Sequence, residues 1–99
     1  MTQAMTPYLD TFVARMNAKL DERAFYRFGY VFGKKYAKIV LEYSSGGQSV
    51  WGFVVNTTTD SKFDYGAILK PAGWQGPARN FSRGNIFSDS VEKFSQYGL

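Results

Sequence analysis

The stretch AFYRFGYVFGKKYAKIVLEY, residues 24–43, decides the fold because residue character alternates along it with a period of two. In its first half every second residue from Tyr26 to Phe32 is aromatic, and Arg27, Gly29 and Val31 stand between them. Successive side chains of a β-strand point to opposite faces of the sheet, so this pattern is typical of a strand with one aromatic face. We interpret that face as core, because a half-buried strand is where aromatic residues pack best.

The second half of the stretch predicts a strand that returns along the first. Gly33-Lys34 predicts a tight turn with glycine at its first central position. In KYAKIVLEY the residues that face the core are predicted to alternate with those that face outward. The predicted inward residues are Ala37, Ile39, Leu41 and Tyr43, and the predicted outward residues are Tyr36, Lys38, Val40 and Glu42. The whole stretch therefore predicts an antiparallel hairpin.

Upstream of the hairpin the spacing changes to that of a helix. Thr6 followed by Pro7 is typical of an N-cap with proline at the first helical position. The apolar residues that follow form one stripe of an amphipathic helix ending near Arg23, namely Leu9, Phe12, Val13, Met16 and Leu20. We expect this stripe to cover one face of the sheet.

Downstream, VWGFVVN at 50–56 predicts a third strand with Trp51, Phe53 and Val55 on one side, and KFDYGAIL at 62–69 predicts a fourth. Regular patterning then stops for about fifteen residues. Ser88 or Asp89 is a candidate cap for a short helix through SVEKFSQY. The sequence thus predicts one α+β domain over residues 1–99, with an N-terminal helix on an antiparallel meander of three to four strands, an irregular loop and a short C-terminal helix.

Composition excludes several classes of function. The chain has no cysteine and no histidine, which removes disulfides, the usual zinc sites and the Ser-His and Cys-His nucleophile pairs. Its acids show no metal-binding spacing, so we expect no metal, no cofactor and no enzymatic activity. No apolar run is long enough to span a membrane, and the N-terminus does not resemble a secretion signal. We expect a protein of the cytoplasm.

Positive charge is concentrated in two acid-free stretches. The net charge is +4, and neither residues 23–41 nor residues 65–88 contain an acid. Such stretches favour anionic partners. The predicted binding residues are Arg27, Lys34, Lys35, Lys38, Lys70, Trp74, Arg79 and Arg83. We expect the hairpin cations and the loop cations to lie on one face.

The segment ILKPAGWQGPARNFSRGNIF, residues 68–87, contains three glycines, two prolines and three cations but no acid. Trp74, Phe81 and Phe87 are predicted to anchor this irregular chain to the domain, with Trp74 largely buried. Two interpretations remain open at this point. The segment either serves only to cover the core, or it presents its cations to a partner on a compact glycine-rich backbone.

The same segment resembles a run near the C-terminus of small uncharacterised proteins from tailed bacteriophages. The pattern is a leucine-lysine pair, then Ala, Trp and Pro-Ala-Arg at fixed spacings, and finally Arg-Gly-Asn, matched here by Leu69 to Asn85. Ala67 stands where that pattern has an acid. The resemblance implies a viral origin and action inside a host cell, and it implies no particular mechanism.

Two functions are compatible with these features. The first is a non-enzymatic binding module that acts on a host or viral protein through the basic, Gly/Pro-rich loop. The alternative is binding of single-stranded nucleic acid by the basic hairpin and loop. An enzyme ranks third, because the nucleophile and base pairs are missing.

Overall fold

The computed structural model describes residues 4–89, 91–95 and 98–99. Its elements in chain order are helix α1 Thr6–Ala18, strands β1 Tyr26–Phe32, β2 Tyr36–Tyr43, β3 Gln48–Val55, β4 Ala67–Leu69 and β5 Gly84–Asn85, and a 3₁₀ turn Val91–Lys93. The strands form one antiparallel sheet in the order β1-β2-β3-β4-β5. The predicted α+β class is confirmed. The C-terminal helix is this single 3₁₀ turn, and residues 90 and 96–97 of the predicted helix lie outside the described residues.

Helix α1 packs its apolar stripe on the first face of the sheet, as predicted. Leu9, Phe12 and Met16 are almost completely buried there. The helix begins one residue earlier than predicted. The Leu9 N–H donates to the Met5 carbonyl at 2.9 Å, which makes Met5 the N-cap. Thr6, the predicted cap, is therefore the first helical residue. The helix also ends at Ala18, before the predicted Arg23.

Strands β1 and β2 form the predicted hairpin. Tyr26 lies opposite Tyr43 and Phe32 lies opposite Ala37, without a register shift between them. The Gly33 N–H donates to the Tyr36 carbonyl at 2.8 Å, so the turn is centred on residues 34–35, one residue later than predicted. On the aromatic face of β1, Phe28 is buried in the core, and Tyr26 and Tyr30 pack against that core as predicted. Phe32, predicted to share this face, is 45 % exposed.

A β-bulge at Trp51 changes the predicted facing of β3. Ile39 pairs with Gly52 while its neighbour Val40 pairs with Val50, so Trp51 is an extra residue on β3. The extra residue reverses the alternation, as bulges do. The Trp51 side chain joins the helix-side core, whereas Phe53 joins the opposite one. The prediction that these two residues share a face was wrong.

Strand β4 is much shorter than predicted because two local features hold the preceding chain in turns. The Asp60 carboxylate accepts hydrogen bonds from the backbone N–H groups of Lys62 and Phe63 at 2.8 and 2.9 Å. Gly66 then has a φ of 90°, and a Cβ there would lie 2.4 Å from the Phe87 ring. Extended structure resumes only at Ala67.

The second face of the sheet carries a core of its own, which the predicted one-sided sheet lacks. Its buried residues are Phe53, Val55, Phe63, Ala67 and Leu69. Val40, predicted to face outward, is only 1 % exposed. The irregular segment after β4 crosses part of this face, where Trp74 contacts Lys38 and Arg79 contacts Tyr36.

Candidate functional site

Residues 70–79, which we call the 70–79 loop, form a narrow excursion over the second face of the sheet. Pro71 and Pro77 lie opposite each other in an isolated antiparallel bridge. The Ala78 N–H donates to the Lys70 carbonyl at 2.7 Å and closes the base of the excursion. Trp74 therefore lies at the tip of a constrained turn.

Arg79 fastens the base of the 70–79 loop to the sheet. Its guanidinium donates to the Asp60 carboxylate at 2.9 Å and to the Tyr36 hydroxyl at 2.6 Å, and it lies 5.0 Å from the centre of the Phe63 ring. The hydrogen bond from Arg79 is the largest of the causes that hold the pKa of Asp60 well below its usual range, followed by the backbone N–H groups of Lys62 and Phe63. Arg79 is thus committed to internal contacts.

The other two cations of the irregular segment are separate from this anchor. The Arg83 guanidinium lies 4.2 Å from the centre of the Phe81 ring, and its Nε is buried without a hydrogen-bond partner among the described residues. Phe81 is 55 % exposed, so it does not anchor the chain as predicted. Phe87 does, because its ring packs against Tyr8 and Tyr65. Lys70 is exposed directly after β4.

Trp74 is supported from one side only. The Lys38 ammonium lies 3.9 Å from the centre of the Trp74 ring, a close cation–π contact. The ring is nevertheless 42 % exposed, so the prediction that Trp74 is largely buried was wrong. The tip of the loop projects into open space, since a Cβ at Gly73 or Gly76 would meet nothing within 4 Å.

A small cleft separates the 70–79 loop from the β1–β2 turn. It has a volume of about 270 Å³, and none of the residues that line it is acidic. Its lining includes Val31, Phe32, Lys34, Lys35, Lys38 and Gln75. We call the residues Lys34, Lys35, Lys38 and Trp74 the lysine–tryptophan surface. An adjoining cleft of about 370 Å³ contains Lys35 together with Arg79 and Asp60.

The structure therefore brings together Lys34, Lys35, Lys38, Trp74 and Arg79 from the predicted binding residues. Lys70 and Arg83 line neither of these two clefts. Trp74 lines neither cleft either, and it joins this group through its contact with Lys38. Its ring lines an open cleft beside Glu42 and the β2–β3 turn.

Arg27 lies apart from the lysine–tryptophan surface. It pairs in register with Glu42 near the opposite end of the hairpin. There it lines a cleft of about 420 Å³ that also contains Asp21 and Glu22. Acids outnumber cations in that lining, so this end of the domain does not extend the basic surface.

Sequence reasoning missed two exposed apolar residues beside the lysines. Val31 is 55 % exposed and Phe32 is 45 % exposed. Alternation placed Phe32 on the core face, where α1 covers its neighbours, but α1 does not cover this end of β1. Alternation gives the face on which a residue lies but not how far along the strand α1 covers it, so no signal in the sequence marked this end of β1 as exposed.

Two other kinds of site have no support in the described ranges. No group of three or more His, Cys, Asp or Glu residues there is arranged to hold a metal ion. No helix among those residues is long and apolar enough to cross a membrane.

Comparison with known proteins identifies a family. Neither the curated proteins nor the solved structures include a significant match to the chain. A model of a family of unknown function, DUF7717, matches residues 2–96. Since this match covers nearly the whole chain, the protein belongs to the DUF7717 family.

Proposed function

We propose that the protein is a non-enzymatic binding module that docks its lysine–tryptophan surface on an acidic patch of a host or viral protein. The observation that carries the proposal is the environment of Trp74. This ring is 42 % exposed at the tip of an anchored loop and lies 3.9 Å from the Lys38 ammonium. Lys38 in turn lines a cleft together with Lys34 and Lys35, and no acid is in that lining.

The residue types at this surface support a protein partner. Tryptophan is among the residues that most often dominate binding energy at protein interfaces. Exposed Val31 and Phe32 add apolar area next to the lysines. An interface with an apolar centre and a charged rim is typical of specific protein complexes. The lysines would then steer the approach of an acidic partner.

The origin and place of action belong to the same proposal. The resemblance of residues 68–87 to proteins of tailed bacteriophages supports a viral origin. A phage protein of this kind would act in the cytoplasm of the infected cell, on a bacterial or phage protein.

Affinity capture from bacterial cells that express a tagged form tests the proposal. We expect the wild type to retain a defined protein partner and Trp74→Ala to lose it, because the ring supplies the centre of the contact. Phe81→Ala is the matched control, since it removes an exposed ring that lies beside Arg83 and not beside a lysine of the surface. Nuclease treatment should leave the capture unchanged. Equal capture by wild type and Trp74→Ala would contradict the proposal.

Binding of single-stranded nucleic acid is the second candidate, and one observation favours it. An exposed aromatic ring beside several lysines is the combination on which bases stack while phosphates pair with cations. If the three lysines each contacted a phosphate, log K would fall against log salt with a slope of about −2. Titration of a random oligonucleotide at several salt concentrations measures this slope. A slope of that size for the wild type, reduced to about −0.7 in Lys34→Gln with Lys35→Gln because one of the three contacts remains, would favour nucleic acid over protein.

A further inference from the structure

Strand β1 lies at the edge of the sheet, and its backbone groups alternate in direction. Two hydrogen bonds flank the ladder between β1 and β2: the Gly33 N–H donates to the Tyr36 carbonyl at one end, and the Ser44 N–H donates to the Phe25 carbonyl at the other. With the register between them, these bonds show that the odd-numbered residues of β1 are hydrogen-bonded to β2. The N–H and C=O groups of the even-numbered residues therefore point away from the sheet. They belong to Tyr26, Phe28, Tyr30 and Phe32.

The side chain of Asn17 already occupies this edge at one position. Its amide oxygen accepts from the Phe28 N–H at 2.7 Å, and its amide nitrogen donates to the Phe28 carbonyl at 3.2 Å. One side chain thus makes both hydrogen bonds that a neighbouring strand would make. Among the described residues, no hydrogen bond reaches the outward groups of Tyr30 and Phe32.

The unpaired part of the edge coincides with the exposed part of the strand. Phe28, beside Asn17, is 4 % exposed, whereas Val31 and Phe32 are 55 % and 45 % exposed. The opposite edge of the sheet offers less, because β5 has two residues and the Asp89 carboxylate accepts from its Asn85 N–H at 2.7 Å. An apolar, unpaired edge strand is a template for another strand.

We infer that the edge of β1 at Tyr30–Phe32 pairs with an extended, acidic segment of the partner protein. This inference rests on the proposed function and specifies how the partner is held. The N–H and C=O groups of Tyr30 and Phe32 bond to the partner backbone, as in other complexes in which a peptide adds a strand to a sheet. Asn17 ends the paired segment at Phe28.

Charge selects the acidic partner over a second copy of this chain. The cleft beside Val31 and Phe32 is lined by three lysines without an acid. A second copy would bring the same acid-free lysine cleft and would therefore offer this edge no complementary charge. Glutamates on an incoming strand do offer it.

A designed peptide tests the inference with the whole protein. The probe is acetyl-Glu-Val-Glu-Val-Glu-amide, titrated into ¹⁵N-labelled protein while amide chemical shifts are followed. We expect the largest shifts at residues 30–32. The control peptides are the same sequence N-methylated at every residue, which keeps the charge but blocks donation from both backbone edges, and the analogue with lysine in place of glutamate. Neither control should bind.

Substitutions at Phe32 separate backbone bonding from side-chain contact. Phe32→Pro removes an N–H that points away from the sheet, and proline is tolerated at such edge positions. Phe32→Ala removes the ring but keeps the N–H, so it is the matched control. We expect Phe32→Pro to bind the peptide about fivefold more weakly than Phe32→Ala, the effect of one hydrogen bond. Circular dichroism and thermal unfolding confirm that both variants fold.

The outcomes distinguish this inference from the proposed function. Equal binding of the N-methylated peptide, or equal affinity of the two Phe32 variants, overturns strand pairing. Absence of shifts with the acidic peptide at about 1 mM, a concentration that detects even weak complexes, also overturns it. The capture experiment with Trp74→Ala decides the proposed function independently, because it requires a partner at the lysine–tryptophan surface by any mode.

Discussion

At the scale of single residues, Asn17 contributes more than its position on a helix suggests. Its side chain satisfies both outward backbone groups of Phe28, and nothing in the sequence signals this long-range contact. We expect Asn17→Ala to lower the free energy of unfolding by about 1 to 3 kcal/mol, because two partly buried hydrogen bonds to the Phe28 backbone are lost. Urea denaturation measures this loss.

Asn17→Asp is the control for that prediction. The carboxylate still accepts from the Phe28 N–H, but it places an acceptor oxygen against the Phe28 carbonyl. This variant therefore keeps the protection of the N–H without restoring the lost stability. Amide exchange at Phe28 should accelerate most in the alanine variant. Unchanged exchange at Phe28 in Asn17→Ala would show that the contact does not protect the edge.

The two tryptophans should differ sharply in their effect on stability. Trp51 is 3 % exposed, and its indole N–H donates to the Ser95 carbonyl at 3.0 Å. Trp51→Ala should therefore cost about 3 to 5 kcal/mol, the range for truncating a large core aromatic. Trp74→Ala should cost about 1 kcal/mol or less, since it removes one exposed cation–π contact. Chemical denaturation of both variants tests the contrast, and similar losses would contradict the exposure of Trp74.

The Asp60–Arg79 pair makes stability depend on pH in a predictable direction. The folded-state pKa of Asp60 lies below its ordinary value of 3.8, chiefly because of the hydrogen bond from Arg79. The stabilisation is therefore complete above the unfolded-state pKa and is lost as pH falls through the folded-state pKa. Asp60→Asn should melt at a lower temperature than the wild type at pH 7.

The same comparison at low pH provides the check. Once the wild-type carboxylate is protonated, the melting temperatures of the two proteins should converge. A difference that stays constant from pH 7 to about pH 2 would show that ionisation of Asp60 does not stabilise the loop anchor.

At the scale of elements, the sequence predicted those whose periodicity is unbroken. Helix α1 and the β1–β2 hairpin follow from helical and alternating spacing, because burial of one face dictates both patterns. The pattern failed in β3, where the bulge at Trp51 reverses the facing of later residues. The pattern also did not predict β5, because this strand is only Gly84–Asn85 and two residues are too few to show a period.

The C-terminal turn depends on contacts from distant elements. The Lys19 ammonium at the end of α1 donates to the Val91 and Phe94 carbonyls at 2.9 and 2.6 Å. Lys19→Met keeps the aliphatic stem but loses both bonds, so we expect it to cost about 1 to 3 kcal/mol. Lys93→Met is the control, because its ammonium makes an exposed pair with Asp89 and a 5.9 Å contact with the Phe94 ring, and its loss should cost under about 1 kcal/mol.

Hydrogen exchange gives the readout for that element. Amides of residues 91–95 should exchange faster in Lys19→Met than in Lys93→Met, while β2 and β3 stay protected. Equal exchange in the two variants would mean that Lys19 does not hold the turn.

At the scale of the whole molecule, the irregular segment both covers a core and presents a surface. Sequence reasoning left these roles as alternatives, and the structure shows internal contacts for some residues of the segment and exposure for others. Arg79 and Phe87 make internal contacts, whereas Trp74 remains exposed beside Lys38. The distribution of charge along the sequence predicted the lysines of the surface. It does not distinguish an arginine that is paired with an acid, such as Arg79, from an exposed lysine. That distinction depends on Asp60, nineteen residues away in the chain.

The central claim is that a partner protein contacts Trp74, and photo-crosslinking in the cell tests it most directly. A photoreactive phenylalanine analogue is placed at position 74 in one variant and at position 81 in another, since both native rings are exposed. We predict a discrete, nuclease-resistant protein adduct from position 74 and none from position 81. An adduct at position 74 that nuclease removes, or equal adducts from both positions, would contradict the account.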